Sequence, residues 1–207
     1  MNVGNDVVDL DDPGAVGASR RERFVRRILR PAELRDVEAS ADPDVALWTR
    51  FAAKEAAYKA AVQLRGSTPA TPAAYEVAAD LASVRLSDAR FQLLIEFSAA
   101  AATGRPGLVH AIAWRGGDRP RFGAGACAGD PGAGAHSLLA ASAGACLGCA
   151  PSRLRIVRDP ILGSWDGYGP PRLQLDGRPL PAAVSLSHHG RFIAFAHGPV
   201  ALRPHHV

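Results

Sequence analysis

Hydrophobic and polar residues alternate in recognisable patterns near the start of the chain, and each pattern predicts one element. Residues 4–10 set valines between polar residues, which is typical of a short buried strand. Residues 20–29 place Phe24 and Ile28 on one side and arginines on the other, so an amphipathic helix is expected there. Pro31 then begins a second helical run that continues through Val37.

The clearest element is a long helix that follows Asp42. Asp42 is a good N-cap residue, and Pro43 suits the first helical turn because its missing N–H has no intrahelical partner there. The helical run extends to about Leu64, and Gly66 supplies the residue that commonly ends a helix. We therefore expect more than five helical turns between these two signals.

One face of this long helix changes character along its length. Trp48, Phe51 or Ala52, Glu55 and Lys59 follow one another at three- and four-residue steps, so their side chains share a face. An apolar stripe rarely acquires a glutamate and a lysine. Either the stripe leaves the core at Glu55, or the charged residues line a site.

The rest of the chain reads as short strands around one further helix. Residues 118–134 are rich in Gly and Pro and are the best candidate for an internal hinge. The predicted elements are two alternating β-like runs in 84–97, a strand at 108–114, a helix at 136–147, strands at 154–157 and 172–175, and a terminal hairpin in 184–197 that turns at His189-Gly190.

Composition indicates an ordinary globular protein. The 207 residues are 47% hydrophobic and 21% charged, which suits one domain or two small halves that share a core. The start MNVGNDVVDL does not resemble a signal peptide, and no stretch approaches the roughly 18 apolar residues that span a bilayer. We therefore expect a cytoplasmic protein without membrane contact. Three cysteines do not suggest a disulfide framework.

The positive charge is concentrated in one segment. The net charge is +4, and six arginines crowd into eleven residues. Such a cluster attracts an acidic partner, which by charge alone is a nucleic acid, an anionic membrane or an acidic protein. The six are Arg20, Arg21, Arg23, Arg26, Arg27 and Arg30.

Three short segments carry residues suited to chemistry, at 4–9, 48–59 and 184–190. Each has an ordinary explanation when taken alone. Asp6 suits a cap or turn, Glu55 and Lys59 suit an i,i+4 pair worth roughly 0.2–0.5 kcal/mol, and His188 suits a hydrogen-bonding turn. Their occurrence together changes this balance.

As an ordered set, these segments resemble the 4′-phosphopantetheinyl transferase superfamily, especially its short holo-acyl-carrier-protein synthase type. That type has Gly-x-Asp, Arg-Phe-x-x-Arg-Ile-Leu-x-x-x-Glu-Leu, Arg-Phe-Ala-Ala-Lys-Glu-Ala-x-x-Lys and Val-Ser-(Leu/Ile)-(Ser/Thr)-His. The chain matches these motifs in the same order at residues 4–6, 23–34, 50–59 and 184–188. The resemblance covers residues 1–66 and about 150–197.

The resemblance implies transfer of the 4′-phosphopantetheine group of coenzyme A to a serine of an apo acyl, polyketide or peptidyl carrier protein. Asp6 and Glu55 match the family's metal-binding carboxylates, and two carboxylates suffice for Mg²⁺ when water and substrate phosphates complete its octahedron. Lys59 matches a lysine near the pyrophosphate. Asp6, Glu55 and Lys59 are thus the expected catalytic residues, with Glu55 or a water that it holds as the base.

Further residues are expected to bind coenzyme A. His188 matches the family's histidine near the 3′-phosphate or adenosine end, with His189 as the competing position. The other expected contacts are Arg50, Lys54, the residues Gly66 and Ser67 just past the helix, and Arg172. Arg172 enters because the family's Gly-Lys-Pro is here Gly169-Pro-Pro171-Arg172, which lacks the lysine, and Arg178 is the other residue that could substitute for it.

The arginine helix gains a specific interpretation from the same resemblance. Carrier proteins expose an acidic helix beside the modified serine, and Arg20, Arg23 and Arg27 occupy the matching positions to dock it. Single exposed pairs contribute only about 0.2–1 kcal/mol, but together they steer association. A solvated arginine face remains the alternative, and a nucleic-acid module is disfavoured because interleaved aromatic residues are lacking.

The expected fold is α+β, with two pseudo-symmetric halves at 1–107 and 108–207. Each half is expected to have a small antiparallel sheet packed on a long helix. The chain inserts residues 67–150 relative to the short type, which builds its site between subunits. We therefore expect a monomer that forms the site between its own halves. A non-catalytic module that binds carrier protein or coenzyme A is the alternative function.

Overall fold

The computed structural model describes residues 1–66, 68–98, 105–161 and 167–201. Its described part contains four α-helices and three single 3₁₀ turns, none of which has the length and apolarity needed to cross a membrane. The helices are α1 (Glu22–Ile28), α2 (Pro31–Glu38), α3 (Pro43–Arg65) and α4 (Pro131–Leu147), and the 3₁₀ turns are Ala18–Arg20, Pro72–Ala74 and Pro151–Arg153.

The described strands form two antiparallel five-stranded sheets. The first sheet has the order β1-β5-β4-β3-β2 and consists of β1 (Asn2–Asp9), β2 (Glu76–Val77), β3 (Ser83–Leu86), β4 (Ala89–Phe97) and β5 (Leu108–Arg115). The second has the order β6-β10-β9-β8-β7 and consists of β6 (Arg121–Ala126), β7 (Leu154–Val157), β8 (Arg172–Leu175), β9 (Arg178–His189) and β10 (Phe192–His197).

The two halves share their element order. Each has one strand, then a long helix, then four more strands, and in each the first strand is an edge strand beside the last. The helices differ in length, with 23 residues in α3 and 17 in α4. The predicted α+β class is confirmed. By sheet membership the halves divide after Arg115 rather than after residue 107, because β5 pairs with β1 and β4.

The caps of α3 lie where the sequence predicts them. Asp42 accepts a hydrogen bond from Val45 N through its side chain, Pro43 begins the helix, and Gly66 follows its last residue with a φ of 72°. The predicted terminal hairpin is also confirmed, since β9 and β10 are joined by a turn at Gly190 and Arg191. The predicted hinge at 118–134 is instead occupied by β6 and the start of α4.

Small residues let α3 lie directly against β1. Its buried face consists mainly of alanines, including Ala56 and Ala60, both of which are fully buried. A Cβ atom on Gly4 would lie 1.9 Å from Ala56 O and 2.7 Å from Ala60 N. The glycine of the Gly-x-Asp motif is therefore required by packing. The close approach brings the part of α3 that carries Glu55 and Lys59 beside β1.

The two sheets meet at β1. On the face of β1 opposite α3, Val3 packs with Ile112, Trp114 and Ala196, so both sheets contribute to one apolar cluster. Val7 packs in the same way with Ala194 of β10. Strand β1 is thus enclosed by its own helix and by the other half of the molecule.

Candidate active site

The outer edge of β1 is covered by side chains instead of by another strand. Alternate amides along this edge have no ladder partner, and a buried amide needs a hydrogen bond. The amides of Val3, Asn5, Val7 and Asp9 donate in turn to Gln63 Oε1, Ser185 Oγ, Ser187 Oγ and His189 Nδ1, at 3.0, 3.0, 3.1 and 3.1 Å. Three of these four acceptors come from β9, so β9 is held in register along β1.

Asp6 lies on the face of β1 that packs against α3, and its side chain points toward that helix. Its Oδ1 accepts hydrogen bonds from Lys59 Nζ at 2.8 Å and from Ser187 Oγ at 2.9 Å. Lys59 also donates to the Asn5 carbonyl at 2.9 Å. The side chains of Asp6 and Lys59 are 14% and 30% exposed, so this ion pair is partly open to solvent. The structure therefore brings together the first and second segments singled out in the sequence.

Glu55 lies one helical turn before Lys59 and shares the electrostatic environment of Asp6. Burial and then the negative charge of Asp6 raise the pKa of Glu55 to about 7, while Lys59 acts in the opposite direction. Within the described part of the chain, the Glu55 carboxylate makes no hydrogen bond. Two neighbouring carboxylates with oxygens available suit a hard divalent cation.

The described residues contain no group of three or more His, Cys, Asp and Glu side chains placed to hold a metal. A cation bound by Asp6 and Glu55 alone would need water and ligand oxygens for its remaining positions. This is the ordinary arrangement for Mg²⁺, which keeps several waters and binds substrate phosphates. The donor set therefore fits magnesium, with two protein carboxylates.

A cavity of about 780 Å³ lies between the two halves, next to the Asp6–Lys59 pair. Its volume is in the range of ligand sites. Its lining comes from four places: Asp6 of β1; Tyr58, Lys59, Val62 and Gln63 of α3 with Gly66, Thr68 and Ala70 beyond it; Gly132, Ala135 and His136 of α4; and Arg158, Ile161, Tyr168, Gly169, Pro170, Pro171 and Ser185 to His188 of the C-terminal part. Glu55 is not among these lining residues.

Four of the residues expected at the site line this cavity, namely Asp6, Lys59, Gly66 and His188. Ser67 lies outside the described residues. His189, which competes with His188 in the motif, accepts the Asp9 amide, and its ring centroid lies 6.4 Å from that of Trp48. His188 lines the cavity and His189 does not.

Arg50 and Lys54 are not brought to the cavity, which corrects the sequence-based expectation. Lys54 is fully buried, and its Nζ donates to Glu33 Oε2 at 2.6 Å and to Ile28 O at 2.7 Å. Arg50 is 7% exposed and pairs with Asp36 at 2.9 Å. Both residues lie on the side of α3 that faces α1 and α2, so they are structural in this fold.

Arg172 is also displaced from the expected place. It forms an ion pair with Asp159 and does not line the cavity, although Gly169, Pro170 and Pro171 do. Arg158 takes the position beside this segment, where it donates to Gly169 O at 2.8 Å and its guanidinium lies 5.5 Å from the Tyr168 ring centroid.

Sequence reasoning missed Arg158 and His136 as cavity residues. Arg158 reaches the cavity because a β-bridge between Pro160 and Tyr168 folds its segment back onto Gly169. His136 reaches it because the first turns of α4 form one wall. Neither residue belongs to a recognised motif. The absence of the expected lysine near Gly169 was the one available signal that another cation was needed there.

The six arginines of residues 20–30 fall into two groups. Arg21 donates to Gly14 O at 3.2 Å. Arg26 pairs with Glu22, and Arg30 pairs with Glu76. Arg20, Arg23 and Arg27 are exposed, and within the described ranges none of their side chains has a hydrogen bond or an ion pair. Arg23 and Arg27 are four residues apart on one side of α1, and Arg20 ends the 3₁₀ turn that precedes this helix. Phe24 of the same helix packs on Trp48, whose ring centroid lies 6.4 Å from that of His189.

Residues 2–97 match the model of the 4′-phosphopantetheinyl transferase superfamily. This match confirms the recognition of that superfamily from the sequence, over just under half of the chain. Neither the curated proteins nor the solved structures yielded a match.

Proposed function

We propose, from the superfamily match over residues 2–97, that this protein transfers the 4′-phosphopantetheine arm of coenzyme A to a serine of an apo carrier protein. The observation that carries the proposal is the contact between Asp6 and Lys59 at the wall of the cavity between the halves. It joins two family motifs that lie 53 residues apart in the sequence. A third motif contributes His188 to the same cavity.

Asp6 and Glu55 are the residues that would hold Mg²⁺ in this proposal. When bound, the ion supplies charge neutralisation for the pyrophosphate of coenzyme A. Without a cation, burial and the Asp6 charge disfavour ionised Glu55, since its pKa is raised to about 7. The two carboxylates therefore suit a site in which the cation binds together with the phosphates of coenzyme A.

The chain's own residues position the reacting groups and move the proton. The serine oxygen forms a bond to the β-phosphorus of coenzyme A, the pyrophosphate P–O bond breaks, and 3′,5′-adenosine diphosphate leaves. Lys59, whose ammonium lines the cavity, stabilises the charge on the leaving phosphate. Glu55, or a water that it holds, accepts the serine proton.

Coenzyme A would occupy the cavity with its phosphates near three cationic or potentially cationic side chains, His136, Arg158 and His188. Arg158 takes the place that the sequence left open when the family's lysine was missing. Tyr168 and Ile161, about half exposed at the same wall, offer an apolar surface for the rest of the ligand. Gly66, just after α3, has no side chain and lets the backbone pass close to the ligand.

The exposed face of Arg20, Arg23 and Arg27 would dock the acidic helix of the carrier. This role needs cations that are not already neutralised by neighbouring carboxylates, and these three meet that requirement among the described residues. Ion pairs between these arginines and the carrier would raise the association rate more than the final affinity, since exposed ion pairs contribute about 0.2–1 kcal/mol each. The identity of the carrier is a matter for experiment.

One observation favours a second candidate, a non-catalytic module that binds coenzyme A or carrier protein. The family's lysine is missing from the Gly169-Pro170-Pro171 segment, and Arg172 is engaged with Asp159. A module of this kind would bind coenzyme A without needing either carboxylate. The two candidates thus differ in what happens when Glu55 is changed.

The test is mass spectrometry of a panel of apo carriers incubated with coenzyme A, Mg²⁺ and this protein. We expect one or more carriers to gain the mass of the phosphopantetheine arm, and we expect no gain after chelation of the metal. Glu55→Gln is expected to abolish transfer while leaving the thermal unfolding midpoint close to that of the wild type. A carrier whose acceptor serine is changed to alanine controls for adducts elsewhere.

Binding of coenzyme A by a correctly folded protein, with no mass gain on any carrier in the panel, would favour the non-catalytic module. Full turnover by Glu55→Gln would instead retain the transferase and remove Glu55 from the metal site. The two results can be distinguished because the first concerns the wild type and the second only the variant.

A further inference from the structure

Ser187 connects the second half of the molecule to the carboxylate of Asp6. Its side chain is contributed by β9 and is nearly buried, with 6% exposure. Its Oγ accepts a hydrogen bond from Val7 N at 3.1 Å and donates one to Asp6 Oδ1 at 2.9 Å. One hydroxyl thus contacts both the backbone of β1 and the side chain that precedes Val7.

The direction of these two bonds follows from the groups involved. A hydroxyl has one proton to donate and lone pairs to accept with. Because Val7 N can only donate, the proton of Ser187 is free to point at Asp6. A charged acceptor makes this hydrogen bond stronger than a neutral one.

The consequence for Asp6 is a fixed orientation. Oδ1 receives two donors, Ser187 from β9 and Lys59 from α3 at 2.8 Å. In the described part of the chain, Oδ2 makes no hydrogen bond. Rotation of the carboxylate would break both contacts, so one oxygen is retained by the protein and the other remains available to a ligand.

We propose that Ser187 is a positioning residue that orients Asp6 for a divalent cation. The proposal rests on the function proposed above, in which Asp6 is a metal ligand. It makes the cation site in the first half depend on the docking of β9, which belongs to the second. Groups that orient metal ligands through hydrogen bonds typically change metal affinity about 10–100-fold when removed.

Ser185 provides a matched control on the same strand. Its Oγ accepts from Asn5 N at 3.0 Å, and it is 2% exposed. It therefore makes the same kind of bond to the edge of β1 as Ser187, but it has no hydrogen bond to a carboxylate. Ser185→Ala and Ser187→Ala remove equivalent backbone contacts, and only the second removes a contact to Asp6. Because both serines line the cavity, the coenzyme A affinity of each variant is measured first without metal, and Mn²⁺ binding is then compared at saturating coenzyme A.

The experiment measures Mn²⁺ binding by the loss of the free-ion EPR signal, with coenzyme A present and no carrier protein, so that no turnover occurs. We expect wild type and Ser185→Ala to bind Mn²⁺ equally and Ser187→Ala to bind it about 10-fold more weakly. Urea unfolding of both variants verifies that each is folded and that they lose similar stability. A steady-state assay should show a raised KM for the metal in Ser187→Ala with an unchanged KM for coenzyme A.

Each other result has a definite meaning. If wild type binds no Mn²⁺ under these conditions, the metal site of the proposed function fails. If wild type binds Mn²⁺ but both alanine variants match it, or both are weakened equally, the positioning role of Ser187 is wrong. A loss of coenzyme A affinity in Ser187→Ala with unchanged Mn²⁺ affinity also overturns it, because Ser187 would then act on the ligand directly.

Discussion

The ion pair between Lys54 and Glu33 gives the sharpest prediction about what holds the first half together. The two side chains are 0% and 4% exposed, and the atoms that join them are 2.6 Å apart. Glu33 also accepts from the amides of Arg30 at 2.7 Å and Val77 at 2.9 Å. The pair therefore links α3, α2 and β2 at one buried point.

Lys54→Met keeps most of the side-chain length but leaves the Glu33 carboxylate buried with two amide donors and no cation. Removal of one partner from a buried pair typically costs about 3–5 kcal/mol, because the remaining charge is not solvated. Burial already lowers the pKa of Lys54 despite the opposing effect of Glu33, which shows how strongly this site disfavours a lone charge. We expect a loss of about 3–5 kcal/mol in the free energy of unfolding.

The assay is urea unfolding at neutral pH, followed by circular dichroism, for the wild type, Lys54→Met, Glu33→Gln and the double variant. The double variant should lose less than the sum of the single losses, with a coupling of about 0.5–3 kcal/mol. Lys59→Met is the control on the same helix. Its side chain is 30% exposed, so its loss should be about 1 kcal/mol or less, although transfer should be lost.

The reasoning fails if Lys54→Met loses less than about 1 kcal/mol, since that is the size expected of an exposed pair. It also fails if the folded variant loses coenzyme A affinity while keeping its stability. That result would return Lys54 to the phosphate-binding role that the sequence motif first suggested.

Three further predictions concern packing, pH and partner binding. Gly4→Ala should destabilise the fold by about 1–3 kcal/mol or more in a urea titration, because the added methyl group meets the backbone of α3 at Ala56; stability equal to wild type would refute this close packing. Burial lowers the pKa of His110 from 6.5 to about 4, so its contribution to stability is complete above pH 6.5 and is lost as the pH falls toward 4. Replacing His110 by glutamine should reduce, by about 2 kcal/mol, the loss in the free energy of unfolding between neutral pH and pH 5. An unchanged dependence of that free energy on pH would contradict the lowered pKa of His110. Reversing Arg23 and Arg27 to glutamate should weaken carrier binding far more than coenzyme A binding in calorimetry, and equal losses would make the docking role wrong.

Local sequence signals predicted most of the secondary structure correctly. The ends of α3 were recognisable because Asp42, Pro43 and Gly66 act on the backbone within a turn of themselves. The ordered motifs also identified Asp6, Lys59 and His188 as parts of one site, which the structure places around one cavity. The helix ends depend on single short stretches of chain, whereas the site was recognised only from the motifs taken together in their order.

The direction of a side chain depends on elements that are distant in sequence, and here local reasoning failed. Lys54 belongs to the same motif as Glu55, but it turns inward because Glu33 of α2 is buried opposite it. Arg158 lies at the cavity because the β-bridge between Pro160 and Tyr168 folds its segment back onto Gly169.

Strand pairing was the other feature that local patterns could not supply. A strand can be recognised from its alternation, but the sheet to which it belongs depends on which edges are available, and β5 therefore joined β1 and β4 instead of the second half. The contact between Ser187 and Asp6 joins residues 181 positions apart. Local signals in the chain are enough to identify the residues available for chemistry and the ends of the helices. Which of those residues face one another follows from the packing of the whole chain, because that packing sets burial and hydrogen-bond partners.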